Sequence, residues 1–139
     1  MSKELIEHLS QFVSESRKKK FEEVIQFRTR HITVVLEDIY QAHNASAVLR
    51  SCDCFGIQDV HIIENRNRYT INHDVALGST KWLNMIKYNK QERNTIEALK
   101  GLKQKGYRIV SSTPHTNDVT IQELDISKPL ALVFGTEQD

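Results

Sequence analysis

Two polar side chains that packing alone would not ask for, Asn44 and Arg50, stand six residues apart in the run His43-Asn44-Ala45-Ser46-Ala47-Val48-Leu49-Arg50-Ser51-Cys52-Asp53-Cys54-Phe55-Gly56. A guanidinium held near a helix start, at the end of a strand, suits a phosphate or a negatively charged transition state, because its planar fork offers several donors at once. Asn44 reads as the N-cap of that helix, and Gly56 as the residue that leaves its last turn at positive φ. Near the other end of the chain, Gly135, Thr136 and Glu137 follow the apolar run Leu130-Ala131-Leu132-Val133-Phe134. Other chemistries lack their residues. Val34 to Gly56 holds no Gly-x-Gly-x-x-Gly cluster, and neither a P-loop nor a nucleophile elbow is present. The six histidines show no compact metal-ligand spacing, so no metal site is expected. What remains is a site built at strand ends from Asn44, Arg50 and the Gly135–Glu137 turn.

The elements that must position these residues alternate. Leu5, Ile6, Leu9, Phe12 and Val13 recur at helical spacing, as do Phe21, Val24 and Ile25, which predicts helix over the first thirty residues with a break near Ser14 to Ser16. Its apolar stripe must pack on something. Ile32 to Glu37 is a β-branched run suited to a buried strand, and the helix after it completes a first βα unit. Val60-His61-Ile62-Ile63 predicts a second strand, followed by the polar, basic loop Glu64 to Thr70 with Arg66 and Arg68; loops after strand ends are where α/β proteins bind ligands. Gln91 to Lys105 reads as a helix stopped by Gly106, then a strand from Tyr107 to Ser111, a short helical turn near Ile121 and Leu124, and a last strand from Leu130 to Phe134. Strands alternating with helices predict an α/β fold, a mostly parallel sheet with helices on both faces.

Composition narrows the class further. The 139 residues suffice for one core but hardly for two, and no apolar run approaches the ~18 residues that span a bilayer. With no signal-like block at the N-terminus, a cytoplasmic chain without membrane attachment is expected. Cys52 and Cys54 are two apart on a helix and point to different sides, so they read as buried small apolar side chains rather than a disulfide or metal pair. The net charge of +1 hides an asymmetry: Arg17, Lys18, Lys19, Lys20, Arg28 and Arg30 crowd the front of the chain. A basic helix there can neutralise phosphates by counterion release; a solvated helical face is the alternative.

The same residues carry a family resemblance. Asn44, the small residues after it, Arg50-Ser51 and Phe55-Gly56 resemble the first signature motif of the SpoU/TrmH ribose methyltransferases, members of the SPOUT superfamily of knotted enzymes. Leu132-Val133-Phe134-Gly135-Thr136-Glu137 is similar to the opening of that family's second motif, and Gly78-Ser79-Thr80-Lys81-Trp82 resembles a Gly-Ser/Ala-x-Lys-Trp segment of the TrmH branch. The likeness covers roughly residues 32 to 139. It implies the SPOUT α/β-knot fold, with residues 31–139 as the N-terminal portion of the methyltransferase domain and residues 1–30 as a basic, RNA-binding helical extension.

The resemblance also implies a reaction: methyl transfer from S-adenosyl-L-methionine to a ribose 2′-hydroxyl of RNA, with tRNA and a guanosine of its D-loop as target. Arg50 matches the family's arginine implied to activate that hydroxyl. A guanidinium that keeps its proton is a poor base, so stabilisation of a flanking phosphate and of developing alkoxide charge is the preferred role. Asn44 would orient the arginine or the ribose, and Glu137 would brace the site. Cofactor contacts are expected from Ser112, Thr113 and Pro114 and from Phe134, Gly135 and Thr136, at the ends of two later strands. RNA contacts are expected from the basic N-terminal residues with Arg66, Arg68 and Lys81; Trp82 beside Lys81 is either a stacking partner or a core anchor. The family continues past the second motif with a Ser-Leu-Asn motif that completes the knot, the cofactor pocket and much of a homodimer interface. That knot-forming segment is absent here, which leads to the expectation of a fragment of a longer enzyme, inactive alone. An rRNA methyltransferase of the same family, a noncatalytic RNA-binding protein on the same fold and an unrelated nucleotide-binding domain are the competing readings.

Overall fold

Ile32–Glu37 forms β1, the central strand, and its four middle residues are buried because both faces of the sheet are covered. The computed structural model describes residues 2–70, 72, 76–112 and 119–135. Helix α1 (Lys3–Ser10) and helix α2 (Glu15–Ile25) precede β1. After it come α3 (Ala42–Cys54), β2 (Asp59–Ile63), β3 (Asn84–Tyr88), α4 (Asn94–Gln104), β4 (Arg108–Ser111) and β5 (Leu130–Phe134). The strands lie in the order β3-β2-β1-β5-β4, all parallel. The predicted sheet and both predicted breaks, between the two N-terminal helices and after α4, are present.

Alternate residues of β1 face opposite cores. Val34 and Leu36 pack with Val60, Ile62, Ala45, Leu49 and Cys52 under α3, while Val35 packs with Ile63, Ala131, Ala98 and Leu102 under α4. This is the period-two alternation of a strand buried on both sides. Since every strand is parallel, all their C-terminal ends gather at one edge of the molecule. There the chain runs from β1 outward to β2 and β3, and from β4 back to β5, so β1 and β5 flank the point where strand order reverses. That is the usual ligand crevice of an open α/β sheet.

One strand goes unpredicted, and three expectations need correction. β3 was not predicted, because Asn84 and Lys87 break its apolar run; only its pairing with β2 makes it a strand. Cys54 is exposed; only Cys52 is buried, where burial pushes its thiol up to about 11. Asn44 is not the N-cap: α3 begins at Ala42 with Gln41 as its cap, and Asn44 lies exposed inside the first turn. Ala45 and Ser46 are already buried on the inner side of the helix, and Ser46 Oγ donates to the Ala42 carbonyl one turn earlier at 2.7 Å. Finally, the apolar stripe of α1 finds no cover among the described residues: Leu5, Ile6, Leu9 and Phe12 are exposed.

Gly56 ends α3 as expected. Its φ is +73°, its N–H donates to the Asp53 carbonyl at 3.2 Å, and Ile57 N–H donates to the Cys52 carbonyl at 2.9 Å, the paired bonds of a Schellman motif. A Cβ here would lie 2.2 Å from the Phe27 carbonyl oxygen, so the connection between α2 and β1 passes directly over it.

Candidate active site

At the shared C-terminal edge, β4 and β5 run in step through Ser111 opposite Val133, which sets Ser112 beside Phe134 and Gly135. Ser112 and Gly135 are exposed, and Phe134 is half-buried against the core beneath α3. Among the described residues, a Cβ on Gly135 would meet nothing nearer than the Glu37 carbonyl oxygen, at 4.0 Å, so their packing does not demand a glycine there. The open space suits a ligand laid against the backbone at the end of β5. Of the other expected residues, Thr113, Pro114, Thr136 and Glu137 lie outside the described residues.

Arg50 is the ninth of thirteen residues in α3, roughly 12 Å along the axis from its start, so it is not a helix-terminus residue. Its side chain is exposed and, among the described residues, has no ion-pair partner. The helix that carries it covers the sheet face on which Phe134 also packs. Asn44 is exposed as well, but six residues of helix separate the two by about 9 Å along the axis and about 120° around it, and no hydrogen bond joins them. The structure therefore puts Arg50, Phe134 and Gly135 on elements that share one core, while Asn44 and Arg50 occupy different sides of one helix.

The basic residues divide into committed and available. Arg28 is committed. Its side chain is only 8% exposed, it pairs with Asp53 at the end of α3, donates to the Ile57 carbonyl at 3.4 Å, and lies 5.9 Å over the Trp82 ring. Trp82 also meets Phe21 edge-on at 5.5 Å, so this pair anchors α2 to the body of the protein, and Trp82 reads as an anchor. Arg30 pairs with Asp59 at 2.9 Å while remaining largely exposed. On α2, Lys18 pairs with Glu15 at 2.5 Å and Lys20 with Glu23 at 3.2 Å, exposed contacts of small energetic worth. Arg17 lies 5.8 Å over Phe21, and Lys19 and Lys81 are exposed.

Arg66 and Arg68 are exposed on the loop after β2, and an unexpected group holds that loop. Asp38, immediately after β1, adopts φ +49° and accepts hydrogen bonds from the backbone N–H of Asn65 at 2.7 Å, Arg66 at 2.8 Å and Asn67 at 3.3 Å. Burial works to raise its pKa, but those backbone donors prevail and hold the carboxyl below the usual range. Its signal in the sequence is slight, an acid just past a buried strand. The loop and the edge strand β3 enclose a cleft of about 430 Å³ with Arg66, Arg68 and Lys87 on its walls. Glu64 lies there too. Burial opposes its ionisation, yet the Asn89 amide, the Tyr69 N–H and the cations Lys87 and Arg68 together lower its pKa. Lys87 escaped notice in the sequence because its strand did.

Comparison with known proteins agrees with this fold. The family model described as the SpoU rRNA Methylase family matches residues 31–139. A Borreliella burgdorferi protein named tRNA (guanosine(18)-2′-O)-methyltransferase is 41% identical over 129 residues, which are 93% of this chain and 57% of that protein. The crystal structure of the Aquifex aeolicus TrmH/SpoU tRNA modifying enzyme superposes with a TM-score of 0.76 at 30% identity, covering 88% of this chain and 61% of the other. An AdoMet-bound rRNA methyltransferase from Sinorhizobium meliloti shares the fold, with a TM-score of 0.65 at 17% identity over 83% of this chain and 44% of its own. The chain thus spans about three-fifths of the first two relatives.

Proposed function

The chain belongs to the SpoU rRNA methylase family, and from that footing we propose that the whole protein methylates a ribose 2′-hydroxyl of tRNA, at a guanosine, with S-adenosyl-L-methionine as donor. The observation that carries this reading is the gathering of Ser112, Phe134 and Gly135 at one parallel strand edge, with Phe134 packed on the core under the helix whose exposed Arg50 has no ion-pair partner among the described residues. Bound S-adenosylmethionine supplies a methyl group on a sulfonium, ready for displacement by an oxygen nucleophile. The exposed backbone of Ser112 and Gly135 would hold it, with Gly135 leaving room and Phe134 offering an apolar wall. Thr113, Pro114 and Thr136 belong to the same proposed contact.

Arg50 binds the phosphate flanking the ribose and neutralises charge growing on the 2′-oxygen as its proton passes to solvent water. It does so as a cation and hydrogen-bond donor rather than as a base. Asn44, on another side of α3, contacts the ribose or a neighbouring nucleotide rather than the arginine. Glu137, two residues beyond Gly135 in the sequence, braces the site. Arg17, Lys18, Lys19, Lys20, Arg30, Arg66, Arg68 and Lys81 supply phosphate contacts, and residues 1–30 serve as an RNA-binding extension. A homodimer in the cytoplasm is part of the same reading.

The test is transfer of radiolabelled methyl from S-adenosylmethionine into a tRNA transcript by the whole protein, with and without Arg50→Ala. The expected loss is at least 100-fold in kcat, the scale of one removed charge-stabilising donor at about 2.7–4 kcal/mol, with tRNA still bound. Unchanged transfer by the variant removes Arg50 from the mechanism. Transfer into an rRNA fragment but not into tRNA would replace the substrate.

A further inference from the structure

The cleft between the Glu64–Tyr69 loop and β3 presents a specific set of hydrogen-bonding groups. Three asparagines line it, and each donates one N–H of its amide. Asn67 Nδ2 donates to the Asp38 carbonyl at 2.9 Å and Asn89 Nδ2 donates to Glu64 Oε2 at 2.9 Å. Asn65 Nδ2 donates at 2.8 Å to Thr95 Oγ1, whose own hydroxyl proton goes to Glu37 Oε1. A carbonyl, a carboxylate and a hydroxyl that has already spent its proton can only accept, so all three amide orientations are determined. Among the described residues, each asparagine is left with an uncommitted carbonyl oxygen beside its second N–H. Arg66, Arg68 and Lys87 set cations around these acceptors, against the single carboxylate of Glu64, and Asp38 fixes the backbone that carries two of them.

Cations alone would suit any phosphate. Cations beside rigid acceptors suit a phosphate joined to a group that carries N–H donors, and a nucleobase edge is such a group. We propose that this cleft is a nucleotide subsite for the RNA substrate, in which Arg66 and Arg68 hold backbone phosphate and the asparagine oxygens receive the N–H groups of one base. The site lies at the ends of β2 and β3, on the other side of β1 from Ser112 and Gly135, and is therefore separate from the methyl-transfer crevice. The inference rests on the RNA reading given above.

Two measurements test it. Guanosine 5′-monophosphate, whose base edge carries N1–H and an amino group, and inorganic phosphate are titrated separately into the 15N-labelled protein. The nucleotide should shift amides of residues 64–69 and 87–89 and saturate at about fivefold lower concentration than phosphate, the worth of one net hydrogen bond. Equal affinities, or shifts elsewhere only, overturn the base contact. In parallel, Arg66→Gln/Arg68→Gln is compared with the wild type for tRNA binding across a salt series. The expected result is about tenfold weaker binding and a salt slope smaller by about 1.5, as for two lost phosphate contacts. If the wild type binds tRNA and the variant binds it equally well, the subsite is wrong and the RNA reading stands. If neither protein binds tRNA, both fall.

Discussion

Replacing Gly56 with alanine should be far more damaging than its one added methyl suggests. An L-residue in the left-handed region costs about 1–2 kcal/mol. The new Cβ would also stand 2.2 Å from the Phe27 carbonyl oxygen, where an ordinary contact needs more than an ångström of further separation. The obstacle is backbone, so either α3 must unwind at its end or the segment from Phe27 to Thr29 must move. Both routes strain the hydrogen bonds from Thr29 N–H to the Gly56 carbonyl at 2.8 Å and from Gln58 N–H to the Thr29 carbonyl at 3.1 Å, each worth about 0.5–1.5 kcal/mol net. Against this, alanine restricts the unfolded chain and returns about 0.4–1 kcal/mol. The expected net loss is about 2–4 kcal/mol, read from urea unfolding followed by circular dichroism. Gly106→Ala is the control, because Gly106 has φ +88° but open space around the would-be Cβ, and its cost should be about 1 kcal/mol. Equal losses for the two variants would refute the close approach of the α2–β1 connection to Gly56.

Three further outcomes follow from the geometry. Arg28→Ala should cost about 2–3 kcal/mol by stripping Asp53 of its partner and Trp82 of its covering cation, without the drop in salt slope expected of a phosphate contact; a stable variant with a reduced slope would return Arg28 to the RNA-binding set. Maleimide should label exposed Cys54 rapidly and buried Cys52 only on unfolding, and equal rates by mass spectrometry of peptides would contradict the packing under α3. His61 is buried beside Tyr88, 3.0 Å from its hydroxyl; burial first, then Lys105, lowers its pKa, with Asp59 opposing. Below its ordinary value of 6.5 the unfolded chain therefore binds a proton that the folded one resists. Stability from this site is complete above pH 6.5 and declines as pH falls toward the depressed folded value, a slope that His61→Gln should remove from urea midpoints between pH 7.5 and 5.5.

Much of this arrangement is legible in the chain. Buried β-branched runs such as Ile32–Glu37 announce strands whatever surrounds them, and Gly56 announces a helix end because few other residues tolerate φ near +73°. The motif at Asn44 to Gly56 and the one opening at Leu132 carried the family resemblance, and with it the expected chemistry. Less could be read wherever a residue's role depends on a distant partner. β3 has a mixed pattern and becomes a strand only through pairing with β2. Arg28 looked like its basic neighbours, and only folding brings Asp53, 25 residues away, to it.

The sequence by itself determined the class of fold, the boundaries of most elements and the family, since these rest on local periodicity, backbone preference and ordered motifs. Tertiary structure alone decided which cations are paired, where α3 begins, and that Asp38 organises a loop nearly thirty residues further on. The physical reason is common to all three. Charge pairing, helix start and loop anchoring are each settled by groups brought together across the sheet, and proximity in space is not written in any one segment.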